Sequence, residues 1–154
     1  MAQSDIFVIL TECDFEKNGY QNRYNTVDGK WITRPVNKGS EKLVDKRYSD
    51  NKGLVSLNML WIKAIKATLG IDTVLGRDFP TDKTGTARLI EICQKYKADE
   101  YLTNMEALDK YLDKDMFEKA GIKIIPFKAT VKKPIFWVLD NMGIEGARKS
   151  LCKT

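Results

Sequence analysis

The chain has 154 residues, 43% of them hydrophobic and 31% charged, a composition that fits one globular domain, burying about two-thirds of its unfolded surface without disulfides or a structural metal. It contains no histidine, which excludes Ser-His triads, Cys-His dyads, HExxH zinc hydrolases and His-rich metal sites, and leaves acid–base chemistry to carboxylates, lysine, tyrosine or cysteine. A formal charge of +5 favours anionic partners such as nucleotides, sugar phosphates or nucleic acid without choosing among them.

The start, MAQSDIFVIL, has no basic segment before its short apolar run, and no stretch approaches the roughly 20 apolar residues of a membrane span. A cytoplasmic protein with no membrane partner is expected. Cys13, Cys93 and Cys152 are odd in number and far apart, which fits a reducing compartment better than a disulfide framework.

Ile6 to Leu10, IFVIL, reads as a buried strand. Lys17 to Gly39 follows as a hairpin around Asp28-Gly29. A two-residue I′ turn there pairs Val27 with Lys30, Thr26 with Trp31, Asn25 with Ile32, Tyr24 with Thr33 and Arg23 with Arg34. Two guanidiniums then stand opposite each other, either splayed into solvent on an edge strand or bridged by an anion, with Lys17 and Lys38 flanking. Lys38 to Gly53 reads as a long exposed loop.

From Ser56 to Leu69 the residues Leu57, Leu60, Trp61, Ala64, Ile65 and Thr68/Leu69 recur at helical spacing, with Ser56 as N-cap and Gly70 as the stop. Trp61 and Trp137 are assigned to the core. Asp72 to Gly76 reads as a strand, Thr84 to about Lys97 as a helix with Leu89, Ile92, Cys93 and Tyr96 on one face, and Glu100 to Thr103 as a further strand. Cys93, on that apolar face with no histidine to activate it, is read as core. Short helices at Glu106 to Leu112 and Lys114 to Ala120 lead to the strand Ile122 to Phe127. Pro134 to Leu151 reads as a helix broken at Gly143.

Strands alternating with helices predict an α/β fold, a single layered domain over residues 1–154 with a mostly parallel sheet, flanking helices and an N-terminal β-hairpin.

Three groups carry candidate chemistry. Glu12 and Asp14, just past the first strand, could act as acid and base or hold Mg²⁺, since ligands of α/β sheets gather at strand C-terminal ends. Thr84, Gly85 and Thr86, with Arg88 near, open a helix whose free amides attract a phosphate or carboxylate; capping by Asp82 or Thr84 is the structural alternative. The GxxxxGK spacing of a Walker A loop is absent. Asn104, Asp109 and Tyr111 follow a strand end and could line the same crevice, with Tyr111 read as a packing aromatic whose hydroxyl reaches solvent.

The succession DIFVIL, KNGYQNR, KWITRPVNKG, FPTDKTGTARLIEICQKYKADEYLTN, KYLDKDMFEKAGIKIIPF and FWVLDNMGIEGARKSL resembles the WbqC-like family over nearly the whole chain. The resemblance implies a setting in O-antigen and other polysaccharide biosynthesis. It further implies a transferase-like activity in carbohydrate or nucleotide-sugar metabolism, passing an amino acid or acyl group to a sugar. Asn22-Arg23 matches the family's Asn-Arg pair, and Thr86 and Arg88 match as well. The family's first strand and QPxxFPxxGY-like loop are missing, Thr11-Glu12-Cys13-Asp14 stands where an acidic DDVQ-like string is usual, and Arg34 sits at a position more often apolar. From these departures the expectation is a shortened, diverged member that could have kept binding and lost chemistry, with an opened sheet edge or pocket that a second subunit could cover. On these readings the ligand site comprises Lys17, Asn22, Arg23, Arg34, Thr84, Gly85, Thr86, Arg88 and Asn104, with Glu12 and Asp14 catalytic. The expected partner is a phosphorylated or carboxylated small molecule. The alternatives are a non-catalytic module for nucleic acid or another protein, and a homo-oligomer.

Overall fold

A computed structural model describes residues 1–13, 21–26, 28–33, 36–38, 43–45, 53–128, 133 and 135–151. Asp14, Lys17 and Arg34 lie outside these described residues.

The fold is α/β, with the elements β1 (Ile6–Ile9), β2 (Arg23–Asn25), β3 (Trp31–Thr33), β4 (Val36–Lys38), β5 (Leu43–Asp45), α1 (Leu54–Leu69), β6 (Val74–Arg77), α2 (Gly85–Lys95), β7 (Glu100–Asn104), α3 (Met105–Lys110), α4 (Lys114–Lys119), β8 (Lys123–Phe127) and α5 (Ile135–Leu151). Among the described residues the strands form four two-stranded sheets in place of the one mostly parallel sheet expected. β7 and β8 run parallel, from Glu100 opposite Lys123 to Asn104 opposite Phe127. β1 pairs with β6, and the bonds Val74 N–H to Asp5 O and Asp78 N–H to Ile9 O keep the same offset along both strands, as parallel strands do. β2–β3 and β4–β5 are antiparallel hairpins. β5, in the second of these, is a strand where a long loop was expected.

The chain divides into two compact units, one formed by residues 1–7, 13–75 and 131–154, the other by residues 8–12 and 76–130. In the first, Leu69, Val138 and Ala147 are buried together, with Ile65, Trp137 and Leu139 against them. α1 starts two residues before the expected Ser56, with Gly53 at the N-cap and no side-chain cap, and it ends at Gly70 in the left-handed conformation, φ 61°. The face it buries is rotated from the expected one. Leu54, Leu57, Met59 and Leu69 are buried, whereas Leu60 is exposed and Trp61, assigned to the core, is 40% exposed. Trp61 meets Phe136 edge-on instead, with ring centroids 5.7 Å apart. The expected break in α5 is present: Gly143 has φ 64° and ψ −179°, a conformation open essentially to glycine alone.

In the second unit Ile90, Cys93, Phe117 and Ile122 form the buried core, joined by Leu89, Tyr101 and Ile124. Phe117 is fully enclosed, and its ring stacks on Tyr101 with centroids 5.0 Å apart. Cys93 is a core residue, and burial pushes its thiol up from the ordinary value, away from the reactive thiolate form. At the edge of β6 the hydroxyl of Tyr96 accepts from Arg77 N–H at 2.9 Å and donates to Arg77 O at 2.7 Å, in effect substituting for a neighbouring strand. Gly76 makes room for this ring, since a Cβ there would lie 2.7 Å from the hydroxyl oxygen.

Candidate functional site

The hairpin closes in a different register from the expected one. Arg23 stands opposite Thr33, Tyr24 opposite Ile32 and Asn25 opposite Trp31, a slip of one residue. The cause lies in the turn. Thr26 N–H donates to Lys30 O at 2.9 Å, Gly29 N–H donates to Thr26 O at 3.0 Å, and Gly29 has φ 81°, so three residues, not two, connect the strands. Glycine at positive φ serves the three-residue loop as well as the I′ turn. In this register Arg23 does not face Arg34. Its Nε donates to Thr33 Oγ1 at 3.2 Å, and Asn22 beside it is buried.

In the second unit two candidate groups from different parts of the chain meet on one carboxylate. Asp78 follows the C-terminal end of β6, and its side chain is fully removed from solvent. It accepts from Thr11 N–H at 2.6 Å, from Thr11 Oγ1 at 2.9 Å, from Glu12 N–H at 3.3 Å and from Arg88 Nη2 at 2.6 Å. Burial on its own would raise the Asp78 carboxyl. The bonds from Thr11, Arg88 and Glu12 outweigh it and hold the group below the ordinary carboxylate value, as expected for an anion surrounded by donors. Asp78 thus fastens the loop after β1 to α2. Arg88 is correspondingly committed: 16% of its side chain is exposed, and its buried Nε has no hydrogen-bond partner.

The start of α2 is open. Thr84 occupies the N-cap position, extended at φ −129° and ψ 167°, with no side-chain bond to the helix, and the first turn holds no acidic residue. Neither capping residue considered from the sequence therefore closes this end. Gly85 follows at φ 53°, and a Cβ there would meet nothing within 4 Å. The first amides of a helix lack intrahelical partners, and they carry the positive end of its dipole. Thr81 and Lys83 lead into this end tied to Glu91: Thr81 Oγ1 donates at 2.6 Å and Lys83 Nζ lies at 3.3 Å. The Thr81 hydroxyl bond chiefly accounts for a Glu91 carboxyl held below its ordinary value. Thr86 is buried, and its Oγ1 accepts from Asp113 N–H at 3.0 Å, which binds the turn after α3 to the helix start.

Asn104 and Asp109 make local contacts. Asn104 caps α3, its Oδ1 accepting from Ala107 N–H at 2.7 Å. Asp109 pairs with Lys114 at 3.6 Å on the surface. Tyr111, read as a packing aromatic, is 76% exposed. The Glu12 side chain is exposed and 3.4 Å from Thr11 Oγ1. Among the described residues no three metal-ligating side chains of the His, Cys, Asp or Glu type gather. Sequence reasoning missed Asp78 and Thr11. The available signal was an acid placed directly after an apolar strand, in VLGRD.

The second unit is thus an α/β body in which a strand-end loop and a helix start are fastened to one buried carboxylate. A model of the WbqC-like protein family matches residues 41–134, and the chain belongs to that family. The matched span contains Asp78, Thr84, Gly85, Thr86 and Arg88, whereas Glu12 and the hairpin residues Asn22, Arg23 and Arg34 fall outside it. No curated protein and no solved structure matches the chain. Among the described residues no helix is long and apolar enough to cross a membrane.

Proposed function

We propose that this protein is a transferase-like member of its family acting in cytoplasmic carbohydrate or nucleotide-sugar metabolism, and that it binds a phosphate- or carboxylate-bearing ligand at the start of α2. The observation carrying this reading is the helix start itself, an eleven-residue helix with an uncapped Thr84, an open Gly85 and no acid in its first turn. Such an end offers amides and a positive dipole to an anion. In the proposed reaction a sugar amine or hydroxyl attacks the carbonyl carbon of an acyl or aminoacyl nucleotide, and the new amide or ester bond forms as the acyl–phosphate bond breaks and the nucleotide leaves with its phosphate. Glu12, whose backbone is bonded to Asp78, supplies the carboxylate that takes the proton.

Thr84→Asp tests the binding step. An acid at the N-cap stabilises the helix by about 1 kcal/mol and occupies the field a ligand anion would use. Thermal melting is measured with UDP-sugars, dTDP-sugars and acyl or aminoacyl nucleotides. The expected result is a ligand-induced rise in Tm for the natural chain, and for Thr84→Asp a higher starting Tm with no rise. No shift across the panel, or a shift untouched by Thr84→Asp, overturns the reading.

A further inference from the structure

The outer side of β6 carries backbone groups that its own sheet does not use. Val74 N–H donates to Asp5 O at 2.8 Å, so Val74 turns its bonding groups toward β1, and in a parallel ladder the next residue turns its own away. Leu75 therefore directs its N–H and C=O to the side opposite β1, where the described residues hold no further strand. Arg77 shows the same alternation, since its N–H and C=O meet the Tyr96 hydroxyl. Within the first unit a cavity of about 410 Å³ borders the start of this strand, with Lys63, Lys66 and Ala67 of α1 on one wall and the stretch from Asp72 to Leu75 on the other.

We propose that this groove takes an extended acidic segment of a partner protein, added to β6 as a short strand. Strand addition uses what an edge already offers: Leu75 presents one donor and one acceptor to a peptide backbone, and alternate side chains of the guest point into the groove. Charge selects the guest. Lys63 and Lys66 are three residues apart and so neighbours on the helix surface, and among the described residues neither ammonium forms an ion pair. Lys66 is half-buried, which leaves its charge less screened than that of a fully exposed lysine. Two ammoniums stand against the one carboxylate of the lining, Asp72, so glutamates or aspartates on the guest are attracted. Thr73 fixes the far wall, buried and with Oγ1 donating to Met1 O at 2.7 Å. Val74, 61% exposed, offers an apolar contact to the residues between the acids.

A phosphodiester chain suits the groove less well. No aromatic side chain is among the described lining residues for a base to stack on, and Leu75 C=O accepts a peptide N–H but repels phosphate oxygens. The groove belongs to the first unit, and the inference stands apart from the reading of α2.

The test is fluorescence anisotropy on the full chain at low salt, with labelled hexapeptides in which valine alternates with glutamate, glutamine or lysine. Labelled oligothymidylate is the competing class. The glutamate peptide is expected to bind at least tenfold more tightly than the other two, about 1.4 kcal/mol. Lys63→Gln combined with Lys66→Gln should weaken its binding at least tenfold, with circular dichroism melting to establish that the fold is intact. Two further peptides carry N-methyl groups on the glutamates or on the valines, each blocking one backbone edge while keeping the charge. The one blocked on the edge that meets β6 should lose at least tenfold, and the other should stay within about threefold. The proposal is overturned if the glutamate peptide does not bind, if the double variant binds it as well as the natural chain, if the two N-methylated peptides bind alike, or if oligothymidylate binds in its place.

Discussion

Arg88 Nη2 lies 2.6 Å from Asp78 Oδ2, and the carboxylate is fully removed from water. A buried charge stripped of its partner is costly, because little solvent is available to replace the lost interaction. Arg88→Ala should therefore destabilise the protein by about 3 kcal/mol, read from urea unfolding. Asp78→Asn combined with Arg88→Ala should cost less than the sum of the two single changes. A loss under about 0.5 kcal/mol for Arg88→Ala would identify the pair as one of the many that contribute little.

The same carboxylate predicts an acid limb. Its folded pKa lies below the ordinary value, so its contribution to stability is fully present above the unfolded carboxylate value of about 4 and is lost as pH falls through the folded pKa. Tm measured from neutral to strongly acid pH should fall below about pH 4, and Asp78→Asn should flatten that part of the profile. An unchanged acid limb in Asp78→Asn would assign it to other carboxylates.

Gly76 and Tyr96 form a second coupled pair. Tyr96→Phe removes both bonds to Arg77 and should cost about 1–2 kcal/mol. Gly76→Ala drives a methyl against the Tyr96 ring, where it would approach the hydroxyl oxygen to 2.7 Å, and should cost about 1–3 kcal/mol by overpacking. In the Tyr96→Ala background the cost of Gly76→Ala should largely vanish, the non-additivity expected of touching residues. Additive losses would show that the ring and the methyl do not meet.

Arg148 closes the end of α1, with Nε donating to Leu69 O at 2.8 Å and Nη2 lying 3.4 Å from Thr68 O. These carbonyls belong to the last helical turn, which has no intrahelical donors for them. Arg148→Ala should lower stability by about 1–2 kcal/mol, and hydrogen exchange should quicken at Gly70 and Ile71, whose amides bond back to Ala67 and Lys66. Unaltered exchange there would leave those amides independent of the arginine.

The hairpin register has a direct signature. A close Hα–Hα contact is expected between Asn25 and Trp31, and between Arg23 and Thr33, as in non-hydrogen-bonded antiparallel pairs. A contact between Tyr24 and Thr33 would restore the two-residue turn and place Arg23 opposite Arg34.

Much of the element order was legible because it depends on local chemistry. Gly70 and Gly143 both stand at positive φ, so their places as helix stop and helix break follow from the absence of a side chain. β7, β8 and the helices between them follow from short apolar and amphipathic runs that leave few alternatives. The face of α1 was not legible in the same way. Its apolar residues span a wide arc, and only packing beside Val138 and Ala147 of α5 selects Leu69 for burial and leaves Leu60 and Trp61 outward.

The candidate site divides along the same line. Thr84 to Arg88 could be recognised as a helix start from residue types alone, since glycine and threonine ahead of an amphipathic run signal one. That Thr84 leaves the end uncapped was settled by side-chain geometry. Asp78 reaches Thr11 across 67 positions and Arg88 across 10, and no spacing rule connects residues so placed.

What the sequence by itself determined is the kind of segment each stretch forms, because backbone freedom and apolar period are properties of neighbours along the chain. Only the tertiary structure decided which helix face meets the core, which carboxylate binds the strand-end loop, and that Arg23 shares a face with Trp31 instead of opposing Arg34. Each of those outcomes is a competition among partners distant in sequence or among turns of nearly equal local preference, and three-dimensional packing and hydrogen bonding resolve it.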